Sequence, residues 1–170
     1  MSELEVLSFI SLKMLYAVLC GLIVGLERKF NSAPAGFKTQ ILVCVGSMLF
    51  TCIPIIAGPM MVHETARVIA QIITGVGFLG AGAIMNKGGD RNIVGLTTAA
   101  WIWFTAAIGI LIGIEHGAVA LFITFTLVGV ISLARFFERK FFASSFNSSE
   151  TETHDHKEKD KPADHIRKAG

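Results

Sequence analysis

Hydrophobic and polar positions separate into long apolar runs punctuated by short charged segments. Residues 39–63 contain no Asp, Glu, Lys or Arg, and neither do residues 68–86, 92–114 and 116–134. A fifth run, residues 6–26, carries one charge, Lys13. About 20 helical residues cross a ~30 Å hydrocarbon layer, so each run has the length of a transmembrane helix. The pattern predicts spans near residues 6–26, 39–57, 67–85, 94–114 and 116–134. Turn chemistry lies between them: residues 31–36 with Pro34 and Gly36, then Gly58-Pro59, then the polar loop 86–92. Thr39 is placed to cap the second span, and Pro54 to kink or end it.

Composition and charge sharpen this picture. The chain has 170 residues, 52% hydrophobic and 16% charged, against about 25% charged in soluble domains. The expected fold is an all-α, polytopic membrane helical bundle of about five transmembrane helices over residues 1–142. Residues 143–170 are polar and charged, and are expected to form a disordered cytoplasmic tail. If the spans alternate sides, every basic residue except Lys13 and Arg67 falls on one side. The positive-inside rule then puts the N-terminus outside and the C-terminus in the cytoplasm. The first residues are acidic and no clear cleavage site follows them, so the first span is expected to stay as an anchor. Lys13 is expected to snorkel to the outer surface. Cys20, Cys44 and Cys52 all lie in spans and read as buried free thiols.

Two motifs resemble ligand sites. Gly75-x-Gly77-x-x-Gly80 matches a dinucleotide fingerprint, but that fingerprint needs a strand before it and an exposed turn. Here it sits inside an uncharged run. The better reading is a packing face of Gly75, Gly77, Gly80, Ala81 and Gly82, with Ala70, Thr74, Gly77 and Ala81 at helical spacing, docking the third span on another helix. The tail holds His154, His156 and His165 among acidic residues, without the spacing of a closed metal site. No metal site, cofactor or nucleic-acid surface is expected. No nucleophile–base pair is evident either, so an enzyme is not expected.

The polar residues within or beside the spans are the functional candidates. Glu27 and Arg28 follow Gly25 at the inner end of span one. They form either an interfacial ion pair or a bundle-facing carboxylate paired with Lys38 or Arg91, able to ligate a cation or relay a proton. Arg67, Gln71 and Thr74 can share a face in the outer part of span three, either bonding between helices or walling an outer vestibule. Thr97 and Thr98 read as capping or back-bonded hydroxyls at the start of span four. Asn86 shapes the neighbouring loop. The repeated Gly-x-x-x-Gly spacing at Gly21/Gly25 and Gly109/Gly113 does not establish an internal duplication.

GLIVGLERKF (21–30), PAGFKTQILVCVGS (34–47), ARVIAQIITGVGFLGAGAIM (66–85) and GLTTAAWIWFTAAIGI (95–110) together resemble the signature segments of the MgtC/SapB family of bacterial inner-membrane proteins. The family commonly has Arg-Thr-His where this chain has Lys38-Thr39-Gln40. Many members also carry a folded C-terminal cytoplasmic domain, where this chain has its polar tail. The resemblance implies a multi-pass plasma-membrane protein tied to magnesium limitation and, in pathogens, to virulence through survival in macrophages. It also implies a membrane protein partner such as the proton-translocating ATP synthase.

Two functions are therefore weighed. The first is a non-enzymatic regulator of ion or energy homeostasis. It would act by helix–helix contact through the span-three face and the corner of Glu27, Arg28, Lys38 and Thr39, and would self-associate into a homo-oligomer through glycine-rich faces. The second is a cation (Mg2+) transporter or channel with Glu27, Gln71, Thr74 and Asn86 along a polar path. Spans two to five contain no Asp or Glu, and Mg2+ sheds water reluctantly without carboxylates. That favours the first.

Overall fold

The computed structural model describes residues 2–86 and 93–159. Its elements are α1 (Glu3–Phe30), α2 (Phe37–Ala57), α3 (Pro59–Val62), α4 (Thr65–Ala83), β1 (Met85–Asn86), β2 (Ile93–Val94), α5 (Leu96–Gly113) and α6 (Gly117–Lys159). Five helices are long and apolar enough to cross a membrane: α1, α2, α4, α5 and the Gly117–Glu138 part of α6. They match the five predicted spans in order. Helix α1 outruns its apolar stretch at both ends for local reasons. Ser2 and Glu5 form a reciprocal capping box at its start, and Arg28 and Lys29 lie in its last turn, where cations favour the helix dipole. The two-residue strands β1 and β2 pair antiparallel between α4 and α5.

Residues 2–128 form one compact unit. Its centre is α2, gripped between α1 and α5. The two Gly-x-x-x-Gly pairs make that grip. A Cβ on Gly21 would lie 2.7 Å from the Ile41 Cα, and one on Gly113 2.6 Å from the Thr51 Cβ. Gly25 and Gly109 meet α2 just as closely, at Phe37 and at the Cys44 carbonyl. Cys20, Cys44, Met48, Cys52, Ile108 and Ile112 fill the interior, the three cysteines as free buried thiols. Pro54 is buried within α2, which continues past it to Ala57.

Helix α4 packs from the side, with Ile72, Val76 and Gly80 against Ile102, Ala106 and Ala99 of α5. The turn before α5 needs glycine. Gly95 has φ +96°, in the left-handed region, and a Cβ there would run into the Ala83 carbonyl.

Residues 129–159 form a second unit, the continuation of α6. Phe136 and Phe137 meet edge to face within it, ring centroids 6.2 Å apart. Helix α6 runs to Lys159, into the segment expected to form the polar tail. Local propensity accounts for this: no Gly or Pro interrupts the chain between Gly129 and Pro162. Residues 160–170 lie outside the described residues.

Candidate functional site

Three arrangements in the 2–128 unit carry polar chemistry. The first lies at the end of the bundle that holds the N-terminus. Lys13 points toward that end, as a helical side chain must, but it does not snorkel out. Its Nζ lies 2.6 Å from the Glu115 carboxylate, donates to the Gly113 carbonyl at 3.2 Å and sits 3.3 Å from the centre of the Phe9 ring. The Lys13 side chain is 8% exposed and that of Glu115 62%. Glu115 reaches inward from the α5–α6 turn, where its backbone is left-handed at φ 75°. The acid thus comes to the buried cation, instead of the cation going to water.

The second arrangement lies at the opposite end, where α1 turns into α2. Glu27 and Arg28 are both buried, 3.5 Å apart. Asn31 ties them to the turn, donating to the Glu27 carbonyl at 2.6 Å and to its carboxylate at 3.0 Å. The Arg28 guanidinium stands 5.8 Å from the centre of the Trp101 ring. One helical turn beyond Trp101, Thr105 donates to the Gln40 side-chain carbonyl at 2.7 Å. Gln40 is fully buried, and among the described residues its Nε2 has no hydrogen-bond partner.

The third is a groove of about 950 Å³ between α2 and α4. Its α4 wall is the i, i+4 row Arg67, Gln71, Gly75 and Leu79; its α2 wall is Thr39, Leu42, Gly46 and Phe50. Arg67 is bound to Glu64 at 3.0 Å at the mouth. Helix α4 therefore has three faces. Ile72, Val76 and Gly80 pack on α5, and Arg67, Gln71 and Gly75 wall the groove. The row Ala70, Thr74, Gly77 and Ala81 is exposed beyond both.

These placements revise several sequence expectations. Of the span-three packing residues, Gly80 alone meets another helix. A Cβ on Gly75, Gly77 or Gly82 would find open space, and Ala81 is exposed. The close glycine contacts fall instead on α1 and α5, because α2 is the helix that both must approach. Lys38 is exposed, and no ion pair joins it to Glu27; Arg91 lies outside the described residues.

Neither Thr39 nor Thr97 nor Thr98 caps a helix. The caps are Gly36 and Gly95, without side-chain bonds, and at Gly95 the left-handed backbone calls for glycine. Thr98 is buried and Thr97 exposed. Thr74 bonds back to the Ala70 carbonyl at 3.0 Å, off the groove, so only Arg67 and Gln71 of the predicted polar stripe share a wall. Asn86 pairs through its backbone with Ile93. Glu27 does not line the groove that holds Gln71, so the polar path drawn through both is not assembled.

Gln40 and Thr105 were missed because each looks ordinary in an apolar run. The hint was Gln40 itself, an amide inside a charge-free span. The Lys13–Glu115 tie joins positions 102 apart, a pairing that no local pattern reveals.

The chain is similar to several known proteins. It is 39% identical over 140 residues to Protein SrpB of Synechococcus elongatus, covering 74% of this chain and 77% of that protein. It is 43% identical over 111 residues to "Putative magnesium transporter YhiD" of Escherichia coli, covering 62% and 50%. Against Protein MgtC of Salmonella typhimurium it is 41% identical over 103 residues, covering 61% and 42%. The chain thus matches about half the length of YhiD and less of MgtC. No solved structure matches. The family model described as MgtC family matches residues 14–140, which contain all four segments that carry the resemblance. With that match and the helices it covers, the chain belongs to the MgtC family and is a multi-pass membrane protein.

Proposed function

We propose that this chain is a non-enzymatic protein of magnesium and energy homeostasis in the bacterial inner membrane, acting by contact within the bilayer and not by conducting ions. The name of its relative "Putative magnesium transporter YhiD" and the match to Protein MgtC support the magnesium link. The observation that carries the reading is the pair of cations built into the central core. Lys13 and Arg28 are both buried on α1, about 22 Å apart at 1.5 Å per residue. Between them Cys20, Cys44, Met48 and Ile112 leave no exposed surface. A hydrated divalent cation entering this core would meet at each end a carboxylate already engaged by a cation of the chain, Glu115 by Lys13 and Glu27 by Arg28, and then a dry, close-packed middle. The α2–α4 groove offers no better route, since its one carboxylate, Glu64, sits at the mouth.

Contact is the alternative use of the surface. The exposed row Ala70, Thr74, Gly77 and Ala81 lets a neighbouring backbone come close, and a membrane partner such as the proton-translocating ATP synthase would dock there. The cytoplasmic side would be the one holding Lys29 and Lys38, by the positive-inside rule.

Proteoliposomes with an internal Mg2+-sensitive dye test the first half. The expected result is no saturable flux; a saturable flux that falls on Glu27→Ala would establish transport instead. Crosslinking in cells from Gly77→Cys tests the second half, with ATP synthase subunits as the expected product. Self-crosslinks alone would defeat the partner reading.

A further inference from the structure

We propose that the α2–α4 groove seats a second copy of this chain about a two-fold axis, with Gln71 of each protomer hydrogen-bonded to the partner's Gln71. The inference stands apart from the partner contact above, which uses the adjacent row through Gly77.

Gln71 carries the argument. It is the seventh residue of α4, about 9 Å into the helix at 1.5 Å per residue, and so inside the hydrocarbon. It is exposed on the groove wall, and among the described residues no hydrogen bond reaches its side chain. An amide facing lipid without a partner is costly. Acyl chains fill an apolar groove but offer an amide nothing. A side-chain amide has both an acceptor and donors, so a second Gln71 satisfies the first and is satisfied by it.

The surroundings have the same self-complementary character. One turn deeper is Gly75, and across the groove on the antiparallel α2 is Gly46. Both lie near mid-depth, and a Cβ on either would meet nothing within 4 Å. The walls are therefore lowest where a second helix backbone would cross. At the mouth, Glu64 and Arg67 supply one charge of each sign. Two such mouths facing each other can exchange these partners, whereas an anionic headgroup would find Arg67 already countered. An isologous contact of this kind closes at the dimer.

The test uses the full chain in liposomes at low protein-to-lipid ratio. Oxidative crosslinking of Gln71→Cys should give dimers well above those from the parent chain, whose own cysteines are buried, and from Ile73→Cys on another side of α4. Single-molecule photobleaching should show mainly dimers. Gln71→Leu should weaken dimerisation about tenfold or more and Gln71→Asn should largely retain it. Because Gln71 is exposed in the single chain, both variants should keep the parent's tryptophan fluorescence and helix content. Monomers throughout, equal crosslinking at Ile73→Cys, or undiminished dimerisation of Gln71→Leu would each overturn the proposal. So would mass spectrometry of a monomer retaining phospholipid, or capture of a different protein at Gln71→Cys.

Discussion

Adding one methyl group at Gly21 and one at Gly77 should have opposite consequences, although both glycines lie in apolar helices and neither is in a turn. At Gly21 the new Cβ would sit 2.7 Å from the Ile41 Cα, 3.0 Å from its nitrogen and 3.1 Å from the Gln40 carbonyl oxygen. All three are backbone atoms of α2, so no rotamer change relieves the clash. Ordinary contact begins near 3.4 Å, and α1 must therefore withdraw by roughly 0.7 Å. A gap of that size forfeits about a quarter to a half of each contact it opens. Cys20, Val24 and Gly25 share the seam, and overpacking of this kind costs about 1–3 kcal/mol.

We expect about 2 kcal/mol of destabilisation for Gly21→Ala. At Gly77 the Cβ meets nothing within 4 Å. Only the helix-propensity term remains there, and it favours Ala by up to about 1 kcal/mol. Reversible unfolding by SDS in mixed micelles, read through Trp101 and Trp103, measures both. If Gly77→Ala proves the more damaging, the intramolecular seam has been assigned to the wrong glycines.

Three further sets of substitutions probe the polar ties and the turn before α5. Lys13→Met should be close to neutral, since it removes a buried charge and keeps the volume, whereas Glu115→Gln leaves the ammonium buried and should cost about 1–2 kcal/mol, lessened by the exposure of Glu115; the same unfolding assay ranks them. A double-mutant cycle of Gln40→Met and Thr105→Val should give a coupling of roughly 1 kcal/mol for their hydrogen bond, and a coupling near zero would mean the two side chains do not meet. Gly95→Ala should cost about 1–3 kcal/mol through left-handed backbone strain, and equal stability of this variant and the parent would argue against the φ +96° turn.

Much of the fold was legible because lipid imposes a coarse rule on sequence. A charge-free run of about 20 residues has few alternatives to a spanning helix, so five runs fixed five helices to within a few residues. Packing was less legible. Gly-x-x-x-Gly spacing occurs in α1 and α5, and small-residue spacing also occurs in α4. Nothing local says which of these helices has a neighbour against its glycines. Position in the bundle decides it: α2 has helices on two sides, so the glycines facing it are sealed. The candidate site was legible as residue types and not as pairs. Glu27, Arg28, Arg67 and Gln71 stood out as polar groups near apolar runs. Yet Glu115 answers Lys13, Trp101 stands over Arg28 and Thr105 answers Gln40, all from positions far away in sequence.

The solvent also decides which surface marks carry information. On a soluble protein, an exposed apolar patch signals an absent partner. In a bilayer that inference fails, because Phe78, Leu79 and Ile73 on α4 are as well accommodated by acyl chains as by another helix. Polar groups carry the signal instead. Lys13 and Arg28 show what the chain does with a charge in the membrane when it can: each is buried against groups of its own molecule. Thr74 and Thr124 show the same for hydroxyls, each bonded back to its own helix. Gln71 has no such internal answer among the described residues. By the standard the rest of the molecule sets, its partner is supplied from outside the chain, and the groove it lines is where that partner must sit.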